Sequence, residues 1–342
     1  MSGLRVLRAG PAMTVQDLGR SGTLAFGLSR GGAADRQALY EGAALLGQGV
    51  ECAALEMAGA GGVFEAERDL RIALTGAPMA ARIDGRAVAW HASHNLPAGA
   101  RLEIGAAQSG TYGYLHLGGG IDTPPVLGAR AVHMVAGLGG PVQSGDHLPA
   151  GPDKGQGTGA LLPVSDRFRG GEVRVVASLQ TAFFDKNTLQ RFEKTEFRRD
   201  PRANRMGVRL ASDGPGFGVD GGLKVLSEVI TSGDIQITGD GAPFVLMSES
   251  QTTGGYPRIA TVLPCDLPIV AQAPVGASIR MRFVPLEDAV ALHRRWMSEL
   301  KTLKNRLQRL VRMPEEIDNL AEYQLISGVT SGYDAPMPEI DT

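Results

Sequence analysis

Short stretches of alternating apolar and polar residues, separated by turns, run through most of the chain up to residue 284. Leu102 and Ile104 alternate with polar neighbours, and Asp84-Gly85 is a typical hairpin turn between two apolar stretches. Residues 279–283 alternate apolar side chains with arginines, as expected for a half-exposed strand. Short strands at this spacing favour a β-barrel or β-sandwich over a sheet in which strands and helices alternate.

Helical periodicity occurs in few places before residue 284. Asp35 is a suitable N-cap, and the apolar residues from Leu39 to Leu46 then share one face until Gly47 ends the helix. A second, short helix is expected over residues 187–192. These helices are too few to change the expectation of a mainly β chain.

The chain changes character after Pro285, and a long helix is predicted from Glu287 to Arg312. Its large apolar residues follow the 4-3-4-3 spacing of a narrow two-helix seam: Trp296, Leu300, Leu303, Leu307 and Leu310. Such a stripe must be covered, either by the chain's own β-structure or by another chain. The spacing favours a partner helix, in an antiparallel self-dimer or in a companion subunit.

The length and composition indicate two domains and many turns. A chain of 342 residues exceeds the ~250–300 residues at which single cores usually stop growing. Glycine contributes 47 residues, about twice its usual ~7% share, and residues 151–159 form the best linker candidate. We therefore predict one domain over 1–155, a second over 156–284, and a C-terminal helix and tail over 285–342.

Charge and motifs exclude several classes of function. The formal net charge of −2 gives no general attraction to nucleic acids or membranes. Two cysteines provide no disulfide framework, and no metal-ligand spacing is evident, so no metal site is predicted. No run of ~18 apolar residues occurs, and a cytoplasmic protein is expected. Neither a Walker A loop nor a Gly-x-Ser-x-Gly elbow is present.

Candidate chemistry is concentrated in polar turns that contain glycine. Gln251 to Pro257 combines a carboxamide, hydroxyls and a phenol with a glycine pair, so its donors suit a carboxylate or phosphate. An ordinary hairpin loop explains this stretch equally well. The arginine of Thr14 to Arg20 either pairs with the neighbouring aspartate or holds a substrate carboxylate. Gly31-Gly32, just before the first helix, is either an anion site or a plain cap.

Five motifs in this order resemble the carboxyltransferase A/B-subdomain family, also named the allophanate hydrolase subunit 2 family. The resemblance spans about Leu4 to Val284. The motifs are Thr14 to Arg20, Leu74 to Ala77, Gly118 to Asp122, Asn204 to Gly207 and Gln251 to Pro257. The resemblance implies two tandem cyclophilin-like β-barrels plus the C-terminal helix, with a site in the cleft between the barrels.

The resemblance also implies chemistry and partners. Urea-carboxylase relatives move CO2 from carboxybiotin to an amide nitrogen, and 5-oxoprolinase relatives help to open a lactam at the expense of ATP. The implied substrate is a small amide or lactam, and the implied partner is a companion subunit-1 family protein, often a separate chain. No cofactor is expected to be covalently bound, because the chain carries neither a biotin carboxylase nor a biotin carrier. ATP or carboxybiotin would come from partner subunits.

The residues of these motifs suit the positioning of an amide beside an activated group. The candidate catalytic residues are Asp17, Asn204, Gln251 and Thr252. The candidate substrate-binding residues are Gln16, Arg20, Arg205, Thr253, Gly254, Gly255 and Tyr256. We expect the segments that carry them to converge in one cleft.

Two hypotheses from different classes remain open at this point. The first is a subunit of an ATP-dependent amide- or lactam-processing enzyme, of the 5-oxoprolinase or biotin-dependent urea-carboxyltransferase type. The second is a non-enzymatic regulatory partner of a histidine-kinase inhibitor protein, a role that also occurs in this family. The polar residues of the five motifs favour the enzyme, since a scaffold alone has no need of them.

Overall fold

The computed structural model describes residues 2–219 and 226–311. Within them the chain is mainly β-structure, organised as two tandem barrel units followed by a C-terminal helix, which confirms the expected fold class. The tail beyond Pro314, and the predicted helix end at Arg312, lie outside the described residues.

The first unit consists of two antiparallel sheets that enclose one apolar core. Its strands are β1 Gly3–Arg8, β2 Thr14–Gln16, β3 Ala54–Ala58, β4 Val63–Ala66, β5 Leu70–Gly76, β6 Met79–Ile83, β7 Arg86–Val88, β8 Ala92–Leu96, β9 Arg101–Ala107, β10 Tyr112–Leu117, β11 His147–Pro149 and β12 Ala160–Leu161. One sheet has the order β11-β1-β4-β9-β6-β7, and the other begins β2-β3-β10-β5-β8-β12. Leu55, Phe64, Ile72 and Leu115 are fully buried between the two sheets.

The second unit is a closed seven-stranded barrel with the order β13-β20-β17-β18-β15-β14-β21. The remaining strands are β13 Gly171–Val176, β14 Glu196–Ala203, β15 Gly207–Ala211, β16 Glu228–Val229, β17 Asp234–Ile237, β18 Pro243–Leu246, β19 Thr253–Gly254, β20 Arg258–Val262, β21 Ser278–Phe283 and β22 Gln308–Arg309. A parallel pair, β13 with β21, closes the ring. β16 and β19 form a separate two-stranded ribbon.

The described residues form the α-helices α1 Arg36–Leu46, α2 Lys186–Lys194, α3 Leu267–Gln272 and α4 Leu286–Lys301. α1 matches its prediction, because the Asp35 side chain accepts from the backbone N–H of Ala38 at 3.3 Å and Gly47 ends the helix at φ 62°. α1 lies between the units. Its residues Ala38 and Leu39 belong to the same buried cluster as Val175 and Phe197 of the closed barrel.

The C-terminal helix is shorter than predicted, and its apolar stripe is covered by the chain itself. α4 ends at Lys301 and is followed by a 3-10 turn and by β22, which pairs with β12. Leu300 and Leu303 are each 5% exposed and pack with Leu45, Leu46 and Leu162 of the first unit. The expectation of a seam on a partner helix is therefore wrong, because the first unit offers an apolar surface of its own. β12 and β22 also extend the first unit's sheet beyond residue 155.

Across residues 2–219 and 226–311, no helix combines the length and the apolar character that a membrane crossing requires.

Candidate functional site

The two barrel units meet at the segment before α1, residues 27–33. The backbone N–H of Arg20 donates to the carbonyl of Arg30 at 2.8 Å, and that of Gly31 donates to the carbonyl of Ser248 at 2.9 Å. Gly32 has a φ of 82°, and a Cβ there would lie 2.7 Å from the backbone nitrogen of Gly19, so only glycine fits. Close backbone approach therefore joins the loop around residue 20 to the loop around residue 248.

Arg205 links the two units through its whole guanidinium group. Its Nε donates to Glu249 at 2.6 Å, one terminal nitrogen pairs with Glu56, and the other donates to the carbonyl of Gly32 at 2.6 Å. The Tyr114 hydroxyl donates to the second oxygen of Glu56 at 2.7 Å. Burial alone would lower the pKa of Arg205, but the charges of Glu56 and Glu249 outweigh it and raise that pKa.

A second buried network holds α1 against the closed barrel. Arg167 donates to Asp35 at 2.7 Å and to both oxygens of Glu41 at 2.9 Å. The amide of Gln272 donates to Asp35 at 2.8 Å, and its oxygen accepts from the backbone N–H of Tyr112 at 2.9 Å. All four of these residues are at most 3% exposed.

The residues of these two networks are mostly absent from the sequence-based candidates. Glu56, Glu249, Arg167 and Gln272 were not singled out by any motif. A weak signal existed for Glu56, which interrupts an otherwise apolar strand, Ala54 to Ala58. A charged residue inside a buried strand needs a partner, but the partner lies far away in sequence and pattern alone cannot identify it.

Asp17 and Gln16 hold neighbouring loops in the structure. The carboxylate of Asp17 accepts from the backbone N–H groups of Gly19 at 2.8 Å and Arg130 at 2.6 Å. The amide of Gln16 donates to the carbonyl of Val132 at 3.1 Å. Both side chains are buried. Through these contacts, Asp17 and Gln16 fix the positions of the neighbouring loops.

Arg20 is 2% exposed and points into the first unit. It donates to the carbonyls of Ala131 at 2.7 Å and Val126 at 3.1 Å. Burial lowers its pKa, and the charges of Asp17 and Glu249 counteract that effect. Arg20 is therefore bound to the backbone of the first unit.

The other candidates lie at the rim of the junction. Asn204 is exposed, and its Oδ1 accepts from the backbone N–H of Met206 at 2.8 Å, so its NH2 group stays available as a donor within the described chain. The Thr252 hydroxyl donates to the carbonyl of Gly27 at 3.2 Å, which brings this loop to the first unit. The remaining candidates of this loop are Gln251, Thr253, Gly254, Gly255 and Tyr256, and the side chain of Tyr256 is exposed.

A cavity of about 370 Å³ opens beside this junction. Its walls come from the segment before α1, from the first turns of α1, from loops of the closed barrel and from α4. The polar groups in the walls include Ser29, Arg30, Arg36, Ser248 and His293. The apolar side chains in the walls include Leu24, Ala33, Ile230, Leu267, Trp296 and Met297.

Three residues that line this cavity each have a polar atom that is closed to solvent and lacks a hydrogen-bond partner among the residues that the structure describes. These atoms are Nε of Arg36, Oγ of Ser248 and Nδ1 of His293. Burial, together with the nearby charge of Arg30, lowers the pKa of Arg36 to about 10. The guanidinium is still charged at neutral pH, so the cavity contains a cation without a protein counter-ion in the described chain.

Ser29 and His133 form a pair that resembles an activated nucleophile, but the hydrogen bonds assign it another role. The Ser29 hydroxyl lies 2.9 Å from Nε2 of His133, while Nδ1 of that ring accepts from the backbone N–H of Ala136 at 3.2 Å. The proton therefore sits on Nε2, and the imidazole donates to the serine. Burial lowers the pKa of His133, which keeps the ring neutral at pH 7. Within the described residues, no cluster of side chains suits a metal ion.

Comparison with known proteins identifies the family. The model of the carboxyltransferase domain, subdomain A and B, matches residues 26–283. The chain is 35% identical to the C subunit of 5-oxoprolinase from Escherichia coli over 84% of its own length and 93% of that protein. It is 26% identical to urea amidolyase of Saccharomyces cerevisiae, but spans only 16% of that protein. The K. lactis urea amidolyase structure shares the fold, with a TM-score of 0.78 at 21% identity over 91% of this chain and 21% of that one. The chain is therefore a member of the carboxyltransferase subdomain A and B family, and a component of enzyme systems of that kind.

Proposed function

We propose that this chain corresponds to the C subunit of 5-oxoprolinase and belongs to an ATP-dependent complex that opens a small lactam. The observation that carries the proposal is the enclosed, partly polar cavity at the junction of the two barrel units. The relationship to the Escherichia coli protein supports it, because that match extends over most of both chains. The name of that relative also implies further subunits, so we propose a companion subunit-1 family protein as the partner of this chain.

The residues of the junction suit the positioning of a neutral amide. The apolar walls exclude water from the ring of a lactam, while hydroxyls in the walls are available to its polar edge. The NH2 group of Asn204 and the side chains of Gln251 and Thr252 belong to loops of the junction, and we propose that they stabilise negative charge on the amide oxygen. Arg205 and Asp17 act as positioning residues, because their polar atoms hold the loops together.

The energy for lactam opening is proposed to come from outside this chain. ATP would be bound with the help of the companion subunits, and phosphoryl transfer would activate the amide oxygen so that water can attack the carbonyl carbon and break its bond to nitrogen. Carboxybiotin is the corresponding activated group for a urea-type reaction. We propose that neither group is held covalently here.

The test is reconstitution. The chain is purified with its companion subunits and incubated with ATP and either 5-oxoproline or urea, and phosphate release is measured. We expect release that depends on 5-oxoproline and on the presence of this chain. Stable assembly without phosphate release from either substrate would contradict an enzymatic role and favour the regulatory one.

A further inference from the structure

Arg36 is a charged group whose counter-ion is missing from the described chain. It is the first residue of α1 and lines the cavity at the junction, and its Nε has no hydrogen-bond acceptor among the described residues. The buried guanidinium groups of Arg167 and Arg205 differ, since each faces two carboxylates. Arg36 is partly buried, and a charge that is held in a cavity without a counter-ion is suited to an anionic ligand.

The surroundings of Arg36 fit one particular kind of anion. Ser248 and His293 line the same cavity, and Arg30 adds a second positive charge. The remaining walls are largely apolar. A ligand that combines a carboxylate with a short hydrocarbon ring would satisfy the polar groups and the apolar walls together, whereas a small neutral amide would leave the arginine unpaired.

We propose that Arg36 binds the carboxylate of the substrate, which makes the substrate a carboxylate-bearing lactam such as 5-oxoproline and not a neutral amide such as urea. This inference rests on the proposed function and deepens it. Part of the cavity wall comes from α4, and the family model ends at residue 283, so His293 and Trp296 lie outside the matched region. α4 is held there by a hydrogen bond from Trp296 to Gln37 at 3.2 Å, so selectivity depends partly on a segment outside the family core.

The experiment compares two ligands that differ only in the carboxylate. Binding of 5-oxoproline and of 2-pyrrolidinone is measured by calorimetry, on the full-length chain and on its complex with the companion subunits. The variants are Arg36→Gln and Arg36→Lys, with Arg8→Gln as the matched control, since Arg8 is exposed on β1. We expect wild type to prefer 5-oxoproline, and Arg36→Gln to bind it ~10–100-fold more weakly, the scale of a lost charged hydrogen bond.

The same variant should bind 2-pyrrolidinone as wild type does. Arg36→Lys should recover part of the lost 5-oxoproline affinity, because lysine keeps the positive charge without the planar guanidinium group. Thermal unfolding gives a second readout. Arg36→Gln should be at least as stable as wild type, because a cation without a counter-ion is removed, and 5-oxoproline should raise the Tm of wild type more than that of Arg36→Gln. A variant that fails to fold, an unchanged 5-oxoproline affinity, or a wild type without preference between the ligands would each overturn the proposal.

Turnover separates this inference from the proposed function. Carboxylate-dependent binding at Arg36 without phosphate release would support the inference and contradict the proposed reaction. Turnover of 5-oxoproline by Arg36→Gln with an unchanged KM would keep the reaction and remove Arg36 from substrate binding.

Discussion

Arg205 joins the two units more directly than any motif indicates, because its nitrogens pair with two carboxylates on different units. Replacing it by methionine leaves Glu56 and Glu249 buried without this partner. Breaking a buried ion pair on one side typically costs about 3–5 kcal/mol. We expect a loss of that size in the free energy of unfolding, measured by urea denaturation.

The control for this prediction is Arg280→Gln. Arg280 pairs with Glu196 on the surface of the same barrel, where both side chains are more than half exposed. Such pairs contribute little to stability. Equal stabilities of the two variants would contradict the bridging role of Arg205.

His116 makes stability depend on pH. It is fully buried against Thr75, with Nε2 2.7 Å from the hydroxyl oxygen, and burial lowers its pKa to about 3. The unfolded chain binds the proton near the ordinary pKa of ~6.5, so this contribution to stability is complete above that pH and is lost as the pH falls below it. Between about pH 7.5 and about pH 5, wild type should lose ~2 kcal/mol more than His116→Gln.

The measurement is chemical denaturation at both pH values, with Arg280→Gln as a variant that keeps the wild-type dependence. Parallel losses for wild type and His116→Gln would show that this imidazole is not held neutral in the fold.

At the scale of an element, α4 joins the first unit through its last turn. Leu300 is 5% exposed among apolar residues of the first unit, whereas Leu286, on the same helix, is 70% exposed. Leu300→Ala should therefore cost about 2–5 kcal/mol of unfolding free energy, as core truncations do, and Leu286→Ala should cost little. Size-exclusion chromatography should give the same elution volume for both variants. A change of assembly state in Leu300→Ala with unchanged stability would show that a partner chain covers the apolar stripe.

The elements show what local pattern can reveal. α1 was predictable because its cap, its apolar face and its terminal glycine lie within a short stretch from Asp35 to Gly47. The end of α4 was not, because the spacing of leucines carries no information on which surface covers them. After Lys301 the chain continues as a 3-10 turn. Leu303 lies in this turn and packs against the first unit, so no longer helix is needed to bury it.

The candidate site was predictable only in part for a similar reason. Polar turns with glycine identified the loops around Asp17, Asn204 and Gln251, which the structure brings to one junction. The pairing of Arg205 with Glu56 joins residues far apart in sequence, and no local pattern encodes that distance. The cavity around Arg36 depends on α1 and α4 together, so it becomes visible only in the folded chain.

At the scale of the whole molecule, the core of the closed barrel continues into the first unit, which also has an apolar core of its own. Residues of α1 and β10, among them Leu39 and Tyr114, belong to the same buried cluster as Val175 and Ile279 of the closed barrel. Two units that are joined by one buried cluster and by two buried polar networks should unfold together. We expect one transition, with tryptophan fluorescence, from Trp90 and Trp296 in the first unit and α4, coinciding with far-ultraviolet circular dichroism of the whole chain. Two separated transitions would show that the units are stable independently.

The pairing of β22 with β12 has a consequence for synthesis. β22 is the last strand of the described chain and completes an edge of the sheet in the first unit, after the whole closed barrel has been made. Until then the edge of β12 is unpaired, and the apolar patch around Leu45 and Leu162 has no cover from α4. The first unit is therefore completed last, although its strands are translated first, and its edge at β12 stays open while the second barrel is translated.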